Sequence, residues 1–279
     1  MAKDSKIEWT HHTFNPWWGC SKVSPACRHC YAETWAKRLG SQIWGSNAPR
    51  RFFTDKHWKE PVHWNADAAA EGERRRVFCA SMADVFERRN DLIETRNRLW
   101  QLIENTPWLD WLILTKRPQN VISMIPWDNY WPDNVWLGIT VENQTWAKKR
   151  IPYLEKFPAR VRFLSCEPLL GRVDLQPFLQ QTPNIINWVI AGGESGPYSR
   201  PMNPNWVRYL RNQCADNQIA FHFKQWGHWA PEELLTEQQK KVTTLDGYRL
   251  AAVGKKQAGR ILDGRTWDEL PLKQCASYA

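Results

Sequence analysis

The chain has 279 residues, 42% of them hydrophobic and 24% charged, enough apolar material for one large folded domain or two small ones and not the composition of a disordered tail. Apolar runs such as 111–114 and 188–191 fall far short of the roughly 20 residues that cross a bilayer, and the first ten residues are polar, so neither a membrane span nor a secretory signal is expected. Lys and Arg number 38 against 29 Asp and Glu, a net +9, which favours a polyanionic partner, nucleic acid first.

In chain order, residues 7–10 supply a first short strand. A loop dense in chemistry follows: Asn15-Pro16-Trp17-Trp18-Gly19-Cys20, then Cys27-Arg28-His29-Cys30-Tyr31. Residues 32–39 read as the start of a helix. Six β-rich apolar runs come next, at 77–80, 111–114, 135–139, 161–164, 188–191 and 219–223, beginning 24 to 34 residues apart. That spacing fits a strand, a loop and a crossover helix, so successive strands can lie parallel. Leu92, Ile93, Leu99, Trp100, Leu102 and Ile103 repeat at helical spacing between the first two runs. Trp206, Val207, Leu210 and Cys214 do so after the fifth, with Asn205 placed to cap that helix. Residues 120–125 and 146–154 are less regular, and Pro152 breaks the second. The expected fold is α/β, a full or partial parallel β/α barrel spanning residues 1–230, with 231–279 an appended cap or hairpin.

Parallel barrels build their chemistry at the C-terminal ends of the strands, where the loops converge. Each run here ends in polar side chains: Ser81 and Asp84; Thr115, Lys116 and Arg117; Thr140, Glu142 and Asn143; Ser165 with Cys166 and Glu167; Gly192, Gly193, Glu194 and Ser195; Lys224 and Gln225. Asp84, Glu142 and Glu167 are candidates for proton transfer or ribose contacts, and Lys116, a further candidate catalytic residue, for a phosphate or carboxylate contact. Cys166 is a candidate hydrogen-atom donor. Arg117, Lys224 and Gln225 are candidates for gripping a substrate phosphate or carboxylate. Ion pairing of these cations with Glu142, Glu167 or Glu194 across the same mouth is the competing expectation.

Seven cysteines, an odd number in a chain too long to need staples, point to free or metal-bound thiols in a reducing cytoplasm. Cys20, Cys27 and Cys30 are the candidate metal ligands, because two intervening residues let the last two sulfurs turn toward one ion while Cys20 closes the loop. Zinc, with His29, His11 or His12 as fourth ligand, a redox CxxC pair, and an iron–sulfur cluster with one open iron all fit the spacing. A barrel hydrolase using Asp84, Glu142, Glu167 or Glu194 as metal ligands is a further alternative.

Three cysteines after the first strand of a parallel barrel resemble the radical S-adenosylmethionine superfamily, whose usual CxxxCxxC spacing is here C-x6-C-x2-C. Over almost its full length the chain also resembles a phage- and bacteria-encoded family of three-cysteine-motif proteins of unknown function. The resemblance rests on residues 13–20 with Cys27 and Cys30, Leu114-Thr115-Lys116-Arg117-Pro118, Val141-Glu142-Asn143-Gln144, Cys166-Glu167-Pro168-Leu169-Leu170-Gly171, Gly192-Gly193-Glu194-Ser195-Gly196, Phe223-Lys224-Gln225-Trp226-Gly227 and residues 262–267. It implies a [4Fe-4S] cluster and S-adenosylmethionine as cofactors, with Ser81, Thr115, Asn143, Ser165, Gly192, Gly193, Glu194 and Ser195 as candidate cofactor contacts. A reductant protein and a three-cysteine-motif protein are expected partners, and the basic charge together with the phage association points to a nucleic acid or nucleotide as substrate, which the resemblance itself does not bring.

Overall fold

The six apolar runs become strands of a seven-stranded parallel sheet. The computed structural model describes residues 3–127, 130–196, 198–236 and 241–271. Its strands are β1 (His12–Phe14), β2 (Arg75–Cys79), β3 (Leu109–Thr115), β4 (Val135–Thr140), β5 (Arg162–Cys166), β6 (Trp188–Gly192) and β7 (Ala220–Gln225). They pair in chain order, β1 to β7, each parallel to the next. β1 and β7 are the two edges, so the barrel is partial. The sheet curls far enough that Trp9, just ahead of β1, meets Phe78 of β2 at 4.7 Å and Trp188 of β6 at 6.1 Å.

Strand alternation divides the side chains into two sets. Val77, Cys79, Trp111, Ile113, Leu137, Ile139, Leu164, Cys166, Val189, Ala191, Phe221 and Phe223 enter the main core behind the sheet. Phe78, Leu112, Trp136, Phe163, Trp188 and Ile190 form a second cluster inside the curl with Trp9. A buried aromatic ring removes about 150–250 Å² from water, roughly 4–6 kcal/mol of gross transfer free energy at 25 cal/mol/Å². This inner cluster floors the barrel. Its packing depends on Gly138, where an added Cβ would lie 2.2 Å from Phe163 Cζ.

The crossovers carry α1 (Tyr31–Arg38), α2 (Asp55–Glu71), α3 (Ile93–Glu104), α4 (Gln144–Arg150), α5 (Gln176–Gln181) and α6 (Pro204–Asp216). Asn143 caps α4 by accepting from the Trp146 N–H, and α2 ends at Gly72 in the left-handed region, φ 67°. α6 starts two residues earlier than its apolar pattern predicts. Asn203 is the cap, accepting from the Asn205 N–H, and Pro204 opens the helix. The first strand also differs from expectation. Residues 7–10 turn, with Thr10 N–H on the Ile7 carbonyl, because Trp9 is taken into the barrel floor; the strand begins at His12.

After β7 the chain adds a three-stranded antiparallel sheet, β8 (Trp229–Pro231), β9 (Val242–Leu245) and β10 (Tyr248–Ala252), in the order β8-β10-β9, and a short α7 (Lys255–Ala258). The returning segment then covers the open edge of β7. Phe223 N–H donates to the Trp267 carbonyl, and Phe221 N–H donates to the Glu269 carboxylate. An edge that an eighth strand would close in a full barrel is thereby protected from unwanted pairing. No helix among the described residues is long and apolar enough to cross a membrane. Cys275 and Lys240 lie outside the described residues.

Candidate functional site

Alternation that places Trp136, Phe163 and Trp188 in the floor places Lys116, Thr140, Ser165, Glu167, Gly192 and Lys224 above it, facing into the mouth. Lys224 Nζ lies 3.1 Å from Glu167 Oε1. Gly192 leaves room for that carboxylate, since a Cβ there would stand 2.8 Å from Glu167 Oε1. Lys116, half-buried, has no acidic partner among the described residues. Thr140 Oγ1 is buried without a hydrogen-bond partner.

Each of the four carboxylates foreseen at the mouth is ion-paired. Asp84 accepts from Arg117 Nη1 at 2.9 Å, Thr115 Oγ1 at 2.8 Å, and the Lys116 and Phe86 N–H groups at 3.0 Å each. Burial pushes its carboxyl up, but Arg117 and these donors outweigh burial and hold it below the ordinary range. Glu142, fully buried, accepts from Arg150 Nη1 at 2.9 Å. Glu194 is gripped by Arg200, whose Nη2 also donates to the Pro25 carbonyl at 2.9 Å and so ties the β6 loop to the cysteine loop. With Glu167 on Lys224, the ion-pair expectation holds for Lys224, while Arg117 pairs with Asp84 and, at 3.8 Å, with Glu87, and Lys116 pairs with none of the three glutamates. Four neutralised carboxylates offer no vacant cluster of oxygens for a divalent ion.

Cys20, Cys27 and Cys30 are unpaired and half-buried. Cys20 is fixed by its neighbours: Gly19 N–H donates to the Met82 carbonyl, and Gly45 N–H to the Cys20 carbonyl. Gly19 has φ 114° and no space for a side chain, with Ile43 O at 2.4 Å from an added Cβ. Arg117, anchored by Asp84, donates Nη1 to Cys20 Sγ at 3.7 Å and Nη2 to the Ser21 carbonyl at 2.8 Å. Burial pushes the Cys20 thiol up to about 12, with Arg117 opposing. Burial also raises the Cys30 thiol, opposed by backbone N–H groups and by Lys116. Cys27 is within electrostatic reach of Arg150.

Among the described residues no three Cys, His, Asp or Glu side chains are gathered tightly enough to hold a metal ion. The donor set nevertheless suits a thiophilic centre: three free thiols on one loop, each with a cation near it, while the four mouth carboxylates are already ion-paired. Zinc is less well served. His11 accepts from the Arg76 N–H at 2.8 Å, at the opposite end of the strands, and His12 stacks on Trp64 of α2 at 4.5 Å. Only His29 remains on the cysteine loop.

Other sequence-predicted residues settle into supporting roles. Ser81 Oγ accepts from Asn15 Nδ2 at 3.0 Å, and its carbonyl accepts from Tyr31 Oη at 2.9 Å. Gln225 Nε2 donates to Ser195 Oγ at 2.9 Å. Gly193 packs against the Trp226 carbonyl, 1.9 Å from where a Cβ would sit. Asn143 is a helix cap. Cys166, foreseen at the mouth, instead faces the main core behind the sheet, fully buried, because it shares the outward parity of Leu164 while Phe163, Ser165 and, just past the strand, Glu167 face inward. Arg50, Glu87, Arg150 and Arg200 were not foreseen. Arg50 makes a two-point pair with Glu87, at 3.0 and 2.8 Å, and Ser21 Oγ donates to the same carboxylate at 2.6 Å. No periodicity marks such residues: Arg50, Glu87 and Arg200 lie in loops and Arg150 ends α4, all far in sequence from Cys20, Cys27 and Cys30.

Comparison with known proteins finds no curated protein that matches the chain. A solved structure of a spore photoproduct lyase mutant, with one cysteine replaced by serine, aligns with a TM-score of 0.50 at 14% identity, covering 91% of this chain and 72% of that one. At that identity the likeness shows the fold, which is the partial parallel β/α barrel expected from the sequence. Residues 4–271 match the family described as protein of unknown function, DUF5131. The chain therefore belongs to the DUF5131 family.

Proposed function

We propose that the chain is an iron–sulfur enzyme of the radical S-adenosylmethionine type, of the three-cysteine-motif kind, that modifies or repairs a nucleic acid or nucleotide. The observation that carries this reading is the position of three unpaired thiols in the loop after β1, at the mouth of a partial parallel barrel shared with a lyase named for a photoproduct. When bound, a cluster on three thiolates together with S-adenosylmethionine supplies radical chemistry started by one electron from a reductant protein.

The rest is done by this chain. Cys20, Cys27 and Cys30 would hold the cluster, and Arg117 would donate to the Cys20 sulfur and offset thiolate charge. Asp84 fixes the guanidinium in place. Lys116, unpaired above the floor, is suited to an anionic group of cofactor or substrate. The Glu167–Lys224 pair offers an acceptor and a donor on the inward face. Phe163, Trp136 and Trp188 exclude water from below, which protects reactive species from solvent. Net charge favours a phosphate-bearing substrate.

Anaerobic purification should give a brown protein, and reduction with dithionite in the presence of S-adenosylmethionine should release 5′-deoxyadenosine. A protein loaded with about four irons that releases none overturns the reading.

A further inference from the structure

We propose that the outer face of α1, together with the Trp18–Arg51 bridge beside it, is a docking strip for a single nucleic-acid strand that leads to the mouth. This rests on the proposed function and deepens it, since it names a polymer strand where that reading leaves nucleic acid or nucleotide open.

Helix α1 starts directly after Cys30, and Tyr31 and Trp35, one turn apart, present exposed rings on it, 56% and 44% accessible. About 6 Å of helix rise separates them, close to two base-stacking steps of 3.4 Å. Neither ring is loose. Tyr31 Oη is tied to the Ser81 carbonyl at 2.9 Å, beside the end of β2, so its ring is held at the edge of the mouth. Trp35 packs edge-on against Trp18 at 5.2 Å, and the Arg51 guanidinium lies over Trp18 at 4.7 Å. An exposed ring held in place at no further ordering cost is a ready stacking platform for a base.

Charge selects the occupant. Arg28, Arg38 and Arg51 have no acidic partner among the described residues. The acid on this helix, Glu33, is claimed twice, by Lys22 at 2.8 Å and Lys37 at 2.7 Å. Guanidinium groups without an acidic partner at 28 and 38, flanking the two fixed rings in the chain, and at 51 over Trp18, match a strand that offers a phosphate and a base at every step; an acidic peptide offers charge without the flat surface. A paired duplex keeps its bases stacked on one another and has none to give to Tyr31 and Trp35.

The test is fluorescence anisotropy of the full chain with labelled 12-nucleotide oligo-dT, at several salt concentrations, both metal-free and after iron loading. Binding should weaken about 5- to 100-fold in Trp35→Ala and in Tyr31→Ala, while Trp35→Phe recovers most of it. Arg38→Gln with Arg51→Gln should lower the slope of log affinity against log salt by about 1.4, at roughly 0.7 per phosphate contact on a single strand. Thermal melts of each variant confirm folding. Equal affinity for the duplex form, competition by polyglutamate as effective as by unlabelled oligo-dT, or unchanged binding in both ring variants overturns the docking strip. Because strand binding is read without the cofactor, loss of the radical reading alone would leave these results unchanged.

Discussion

Replacing Arg117 by methionine strands a carboxylate. Asp84 is 5% exposed, and its charge is held by one guanidinium and three neutral donors, Thr115 Oγ1 and the Lys116 and Phe86 N–H groups. Removing the cation leaves burial opposed by neutral donors alone, and breaking such a pair costs about 3–5 kcal/mol. That is a large share of a total stability of roughly 5–15 kcal/mol. The folded carboxyl of the parent is lowered, so the pair stabilises fully above the unfolded carboxyl's value of about 3.9. Its contribution is lost as pH falls through the lower folded value. In Arg117→Met the carboxyl rises instead, so the deficit against the parent is greatest near neutrality and shrinks in acid, as Asp84 takes up a proton. Urea unfolding of the metal-free protein at neutral and at acid pH reads both effects. Adding Asp84→Asn to Arg117→Met should restore more than half of the loss. A single variant within about 1 kcal/mol of the parent, or a double variant no better than the single, refutes the reasoning.

Gly138→Ala, whose Cβ would enter the Phe163 ring, should cost about 1–3 kcal/mol by overpacking; Phe163→Leu in the same chain should relieve it, and additive losses in urea unfolding would contradict the contact. Burial pushes the His222 imidazole down to about 4, with Arg260 adding to it, and neither ring nitrogen has a hydrogen-bond partner. The unfolded imidazole takes its proton near 6.5, so stability is full above that value and falls between 6.5 and about 4, by roughly 3 kcal/mol. His222→Phe should flatten this window in urea midpoints, and an unchanged slope would contradict the assignment. Cys166→Ala, on the outer face of the sheet, should lower stability without changing iron uptake; loss of iron there would place that thiol at the mouth after all.

Strand existence was legible because each run is apolar on both faces, the pattern of a sheet buried on both sides. The strand-tip residues were legible for the same reason: polarity begins where the runs stop. The first strand was misread, since Ile7 and Trp9 carry the apolar signal of a strand while Trp9 is spent on the barrel floor. α2 was missed although Trp58, Pro61, Trp64 and Ala68 form its buried face, because Pro61 and a run of polar neighbours obscure the periodicity. Inward or outward parity could not be read for Cys166, as a run buried on both faces shows no alternation. Pairings such as Asp84 with Arg117 and Glu194 with Arg200 depend on loops folding back over the mouth, and nothing in local sequence specifies them.

Cys20, Cys27 and Cys30 are proposed to hold iron together. Iron and acid-labile sulfide should be counted after anaerobic reconstitution of the parent chain and of Cys20→Ala, Cys27→Ala and Cys30→Ala, with Cys166→Ala as control. About four of each per parent chain are expected, with retention in the control and loss in each of the three variants. Zinc in place of iron, or iron that survives removal of any of the three thiols, would contradict this proposal.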